Sequence, residues 1–246
     1  MHLMETGSLI QHTDQGPIQK TYQMVRLNKN HAQAIFDLQQ VVFEFQDDPQ
    51  KFVPDPLESF QNTMLVEGKG FSIGVFVGTE MIAVRTVSFP GTSDLNLGYE
   101  IKLTDKELMK VALLEATMVR PDYRGNSLQK KMLVHTLKII LAYDCHHVLC
   151  TISPYNYPSL SSVMYAGLTL RNLKYRSGVY GGKLRFLLAA DLRQQIPPVV
   201  PASTKKLLNT DIEAQQHLME KGYIGFQLER IPGEKDHFWI HYGKTN

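Results

Sequence analysis

Residues 111–142 read VALLEATMVRPDYRGNSLQKKMLVHTLKIILA, and the period of their apolar residues changes part-way along. VALLEATMV has the composition of a buried strand, with Glu115, Thr117 and Val119 on one face and Ala116 and Met118 on the other. Leu128, Met132, Leu133, Leu137, Ile140 and Leu141 then recur at helical spacing. A buried strand turned at Arg124-Gly125-Asn126-Ser127 into a packed helix requires sheet and helices on one core, an α/β (α+β) architecture. Such a corner leaves the first N–H groups of the helix unpaired, where the helix dipole favours negative charge. Gly125 has no Cβ to keep an anion from the backbone, Arg124 adds a cation, and Asn126 and Ser127 are short. These are the features of a diphosphate cradle. They are also those of an ordinary capped helix, because Asn and Ser are favoured N-caps. No G-x-G-x-x-G is present, and GVYGGKLR lacks the interval and the Ser/Thr of a Walker A loop.

The remaining pattern supplies more strands and helices. YQMVRL reads as a strand and HAQAIFDLQQVVFEF as a helix packing Ile35, Leu38, Val42 and Phe45. LESFQNTMLV reads as a second helix, and FSIGVFVGTEMIAVRTVSF as a hairpin about Gly78-Thr79. HVLCTIS and KLRFLLAADL read as strands, and PSLSSVMYAGL as a helix between them; residues 92–110 carry mixed signals. Residues 1–18 are polar and unpatterned and are expected to form a flexible arm. The core is expected over 19–192. IPPVVP separates it from an extension, 193–246, with a helix, TDIEAQQHLMEKG, and two strands, YIGFQLERI and HFWIHYG, the second expected at a sheet edge.

The chain has 246 residues, 43% apolar and 20% charged, with a net charge of +2. It is long enough for a sizeable core, and so even a charge balance argues against nucleic acid or an anionic membrane as partner. No apolar run reaches 18 residues and the start has no signal-peptide pattern, so a cytoplasmic location is expected. Cys145 and Cys150 bracket His146 and His147 in CHHVLC; the spacing is not that of a zinc knuckle, and no metal is expected.

In order and motif, VRPDYRGNSLQKKML, TISPYNYPSLSSVMYAGL and LRFLLAADL resemble the GCN5-related N-acetyltransferase (GNAT) superfamily over residues 21–192. The resemblance implies a mixed, mostly antiparallel central sheet flanked by helices, here with a small C-terminal helix-plus-strands extension. It implies that backbone amides around Arg124, Gly125, Asn126, Ser127, Leu128 and Gln129 hold the diphosphate of acetyl-coenzyme A. Arg124 and Gly125 match the family loop, whereas Ser127 and Gln129 stand where later small residues are expected. Asn156 precedes Gly167 at the family's interval, which implies that Asn156, with Ser159, contacts the pantetheine arm; residue type alone favours a helix cap or turn residue next to Pro158.

The implied chemistry is direct attack of an amine on the acetyl thioester in a ternary complex. Met118 and Val119 contact the cofactor, and the Val119 backbone N–H serves as oxyanion donor. Glu115 is the candidate base, or else a structural carboxylate, and burial is expected to raise its pKa. Many family members carry an acidic tyrosine seven residues after the asparagine. That position is Val163 here, which leaves Tyr165 as candidate acid or half-buried aromatic, with Tyr155 and Tyr157 nearby. The expected activity is an acyl-coenzyme A-dependent N-acetyltransferase acting on a small-molecule or peptide amine; the alternative is an inactive acyl-coenzyme A-binding sensor or interaction module. Asp47, Asp48, Asp55 and Glu58 are either attractors of a cationic acceptor or solvated loop charges. The extension is expected to pack on the core or at a homodimer contact.

Overall fold

A computed structural model describes residues 2–194, 200 and 203–245. Its contacts divide the chain into two units, residues 1–47, 54–90 and 112–143, and residues 48–53, 91–111 and 144–246. Of the proline-rich break at 196–201, only Val200 is among the described residues.

The first unit carries five strands, β1 (His2–Thr13), β2 (Gly16–Arg26), β3 (Gly70–Val77), β4 (Glu80–Ser88) and β5 (Val111–Val119). Each pairs antiparallel with the next. Helix α1 (Ala32–Glu44) buries Ile35, Leu38 and Val42, each such side chain stabilising the fold by about 1.5–3 kcal/mol. It stops one residue before Phe45, which is left 64% exposed rather than packed as its spacing predicts. Helix α2 (Leu128–Ala142) buries Leu128, Met132, Leu133, Thr136 and Ile140, so its apolar stripe is narrower than the sequence suggests and Leu141 stays exposed. The expected second helix is one α-helical turn, Leu57–Ser59, widening into a π-helical turn, Phe60–Met64, that buries Phe60 and Met64.

The expectation of a flexible arm over 1–18 is corrected by β1, which runs antiparallel to β2 from His2↔Arg26 to Thr13↔Gly16. Little apolar alternation marks it, because most of β1 is exposed or half-exposed and is held by backbone pairing and polar contacts. Gly7 lies opposite Tyr22, whose buried ring crosses the strand where a side chain would stand. The Tyr22 hydroxyl donates to Glu5 and accepts from Lys131 Nζ at 2.9 Å, and His135 Nε2 lies 2.7 Å from the Glu5 carboxylate. The Tyr22 hydrogen bond, with His135 and Lys131, outweighs burial and holds the Glu5 pKa below its ordinary value. A Cβ on Gly7 would meet the Tyr22 ring at 2.9 Å. Gly7→Val is therefore expected to cost about 1–3 kcal/mol in thermal or denaturant unfolding. It should also lift protection of the β1 amides in hydrogen exchange; fast exchange of those amides in the wild type would contradict the pairing.

The second unit carries β6 (His147–Ile152), β7 (Thr169–Arg176), β8 (Lys183–Asp191), β9 (Lys205–Leu208), β10 (Ile224–Arg230) and β11 (Phe238–Gly243) in the order β6-β8-β7-β10-β11-β9. Helices α3 (Tyr157–Tyr165) and α4 (Ile212–Glu220) complete it, with a short helix, Asp105–Leu108, closed by a Thr104/Glu107 capping box. The extension continues this sheet through Gly225↔Leu170, and β9 is a third strand beyond the two expected. Because β9 pairs with β11, HFWIHYG is flanked on both sides rather than lying at the edge. No helix among the described residues is long and apolar enough to cross a membrane.

Candidate active site

In the first unit, β5 departs from regular pairing at Glu115. Arg85↔Thr117 is followed by Val87↔Leu114, so two steps along β4 match three along β5 and Glu115-Ala116 form a bulge. Thr86 Oγ1 accepts the Ala116 N–H at 2.9 Å, which satisfies that donor of the bulge internally. Strict alternation therefore does not carry from Glu115 to Val119 as the sequence predicts. Toward the end of β5, the Arg120 N–H donates to Ile82 O on β4 at 2.9 Å. Successive N–H groups of a strand alternate in direction, so the Val119 N–H points away from β4. The Met118 and Leu128 side chains are buried in the core, leaving only their backbone for a ligand.

Glu115 is the exposed member of an otherwise buried or half-buried strand. Its Oε1 accepts from Ser88 Oγ at 2.5 Å. The residue as a whole is exposed, while protein atoms crowd its carboxyl. The lost hydration pushes its pKa up to about 7, against the lowering effect of Ser88 and with a smaller raising contribution from Asp55. Asp55 is itself raised to about 6 by burial. Its backbone is pinned by the fully buried Gln39, which donates to Asp55 O at 2.8 Å and accepts the Asp55 N–H at 2.9 Å. Two carboxyl groups raised toward neutrality thus lie in one unit, with the charge of Asp55 acting on Glu115, and a general base needs a pKa in that range.

The corner after β5 has the conformation its residues suggest. Pro121–Tyr123 form a 3₁₀ turn, Arg124 is extended, Gly125 has φ +84° and Ser127 has φ +57°. Ser127 stands at the N-cap of α2 but makes no side-chain capping bond. Asn126 does not cap either: its Oδ1 accepts the Ile10 N–H at 2.8 Å, and its Nδ2 donates to Ile10 O at 2.7 Å and Tyr123 O at 2.9 Å. The opening amides of α2 are therefore not consumed by the two residues suited to cap them. Arg124, Gly125 and Ser127 are exposed, and Gln129 half-exposed. A Cβ on Gly125 would come within 4 Å only of His12 Nε2, at 3.9 Å. Gln11 Nε2 donates to Asp122 Oδ2 at 2.9 Å, so the hairpin braces this corner at two points. Sequence reasoning missed this brace; the Asp14-Gln15-Gly16 turn between two runs of similar length is the signal that points to it.

In the second unit, Asn156 caps α3, its Oδ1 accepting the Ser159 N–H at 3.2 Å and its Nδ2 donating to Lys51 O at 3.4 Å. The capping reading of Asn156 is thus what the structure displays, and Ser159 takes part through its backbone. Val163 is buried, whereas Tyr165, the last residue of α3, is 74% exposed. Burial raises the Tyr155 pKa, and Tyr157 packs edge-on to Phe238 beneath Arg230. Cys145 and Cys150 are both buried and unbridged.

No protein-family model and no curated protein sequence matches the chain. Solved structures do. A ribosomal-protein-alanine N-acetyltransferase from Escherichia coli aligns at TM-score 0.51 and 13% identity, over 70% of this chain and 94% of that one. The acetyltransferase yncA from Salmonella typhimurium, solved with acetyl-CoA, aligns at TM-score 0.53 and 13% identity, over 72% and 97%. RimJ from Mycobacterium smegmatis, in complex with CoA-disulfide, aligns at TM-score 0.51 and 14% identity, over 80% and 94%. The chain has the GNAT fold. At such identity the likeness establishes architecture and not chemistry. The GNAT fold accounts for the antiparallel sheet and its flanking helices, while at least a fifth of the chain lies outside each of these alignments.

Proposed function

We propose that the protein is an acyl-coenzyme A-dependent N-acyltransferase, with acetyl the donor group and a primary amine, small or peptidic, the acceptor. One juxtaposition carries the reading: a carboxyl poised at about 7 on the strand that runs straight into a glycine-entered, uncapped helix. The fold supports it, as do two neighbours solved with acetyl-CoA or a coenzyme A derivative.

Bound acetyl-coenzyme A supplies an activated acyl carbon and a thiolate leaving group. The backbone from Arg124 to Gln129 binds the diphosphate, aided by the α2 dipole and the Arg124 charge. The Val119 N–H donates to the thioester carbonyl oxygen. Glu115 takes the proton of the incoming ammonium, directly or through water, and the free amine attacks the acyl carbon. The C–S bond breaks as the amide forms, the second N–H proton of the amine passes to water, and Tyr165 protonates the sulfur and regains its proton from solvent. Asn156 and Ser159 are retained as contacts to the pantetheine arm on the family resemblance. Asp55 adds negative charge near Glu115, which favours a cationic acceptor.

The test is amine-dependent release of free thiol from acetyl-coenzyme A across a panel of small amines and peptide N-termini. Binding without release across the whole panel would make the protein a coenzyme A sensor instead. Within a turning-over system, Tyr165→Phe is expected to slow release more than Tyr155→Phe; the reverse order would move the acid to the more buried phenol.

A further inference from the structure

CHHVLC, whose spacing is not that of a zinc knuckle, brings titratable groups together in the second unit. Asp144 is left-handed at φ +56°, and the chain that follows enters β6 with the His146 and His147 ring centroids 4.6 Å apart. His147 lies opposite Asp191 in the β6–β8 pair. One nitrogen of each imidazole and one carboxylate oxygen of Asp191 lie within 4.8 Å of one another. The Nε2 atoms of both histidines are buried without a hydrogen-bond partner, and His147 is only 6% exposed. Native interiors seldom leave such atoms unsatisfied, and a bound ion is one of the standard reasons when they do. A fourth donor is at hand. Glu107 Oε1 stands 3.9 Å from His147 Nε2, while Glu107 Oε2 is fixed by the Thr104 N–H and hydroxyl at 2.9 and 2.7 Å.

We infer that His146, His147, Asp191 and Glu107 bind a divalent transition-metal ion of the zinc type, clamping the Thr104–Leu108 turn to β6 and β8. Two imidazoles and two carboxylates are a donor set that zinc accepts, and a tetrahedral site with bonds of about 2.0–2.1 Å places its ligand atoms about 3.3 Å apart. Binding requires the three donors now within 4.8 Å of one another to draw closer, and Glu107, 3.9 Å from His147, to turn in with them. Arg193 holds Asp191, donating from Nε to Oδ1 at 3.0 Å and from NH2 to Oδ2 at 2.7 Å, with Gln194 Nε2 at 3.3 Å from Oδ2. The Arg193 N–H also donates to Oδ1 at 3.0 Å, so each carboxylate oxygen already accepts two hydrogen bonds, and an ion gains its place on Asp191 by displacing the exposed Arg193 side chain. Four protein ligands and no open position make this a structural site rather than a catalytic one.

The full chain, stripped with a chelator, is titrated with Zn²⁺ by calorimetry and with Co²⁺ by visible absorption. One ion per chain is expected, with Tm raised by on the order of 5–10 °C at a hundredfold excess over Kd. Combined His146→Gln and Asp191→Asn changes should weaken binding at least about tenfold, in line with the loss of inner ligands. Cys145→Ser should leave it unchanged. Absence of stoichiometric binding in the wild type would overturn the inference without needing any variant. Equal affinity in the double variant, or loss in Cys145→Ser, would overturn the assignment of ligands.

Discussion

Glu115→Gln is expected to slow amine-dependent thiol release by about 10²–10⁴-fold, the usual contribution of a positioned general base, with coenzyme A affinity little changed. The wild-type kcat/KM should rise with pH through about 7, the value to which confinement lifts this carboxyl, and the variant should lose that limb. Asp55→Asn removes a neighbouring negative charge that raises Glu115, so the limb should move to lower pH. The stability of the fold gives a second, independent readout. A carboxyl whose pKa is raised in the folded state holds its proton there more tightly than when unfolded, so its contribution falls as pH rises from its ordinary 4.5 toward 7. Glu115→Gln should therefore raise Tm at pH 8 and leave it unchanged at pH 4, where both states carry the proton. Equal loss of turnover and of cofactor affinity, with no change in the pH profile, would mark Glu115 as a structural group.

Gly125→Val is expected to weaken coenzyme A binding by about tenfold or more. Gly125 sits at φ +84°, a region that a β-branched residue occupies at a cost of about 1–3 kcal/mol, and its Cβ would rise into the space before the α2 amides. The control is Gly181→Val, at φ +58° in the turn before β8. It imposes comparable backbone strain away from the corner and should leave affinity intact while lowering Tm. Equal affinity loss in both variants, or none in Gly125→Val, would mean that the nucleotide is held elsewhere. Arg124→Glu should weaken binding in the same direction, and less at high salt, because an exposed charge acts through a screened field.

The parts of this fold that were legible in advance are those set by local periodicity. β5, the Gly125 corner, α2, the β3–β4 hairpin, β6, α3 and β8 all fall within a few residues of their sequence patterns. β1, β7 and β9 did not show themselves. β1 owes its place to backbone pairing with β2, and β7 alternates buried Leu170 and Leu173 with exposed Arg171 and Lys174 too irregularly to read. The strand-bound carboxyl at 115 was legible as a candidate base. Its environment was not, since Ser88, Asp55 and Gln39 are 27, 60 and 76 residues away along the chain.

The chain alone determined that a strand must turn into a helix at a glycine, and that short polar residues flank an arginine there, because φ preference and apolar spacing are properties of neighbouring residues. Only the tertiary structure decided that Asn126 spends its amide on Ile10 rather than on capping, that a bulge redirects Glu115, and that a buried and a half-buried imidazole meet Asp191. Each of these depends on hydrogen bonds and desolvation between segments far apart in sequence, and those energies exist only once distant segments have been brought together.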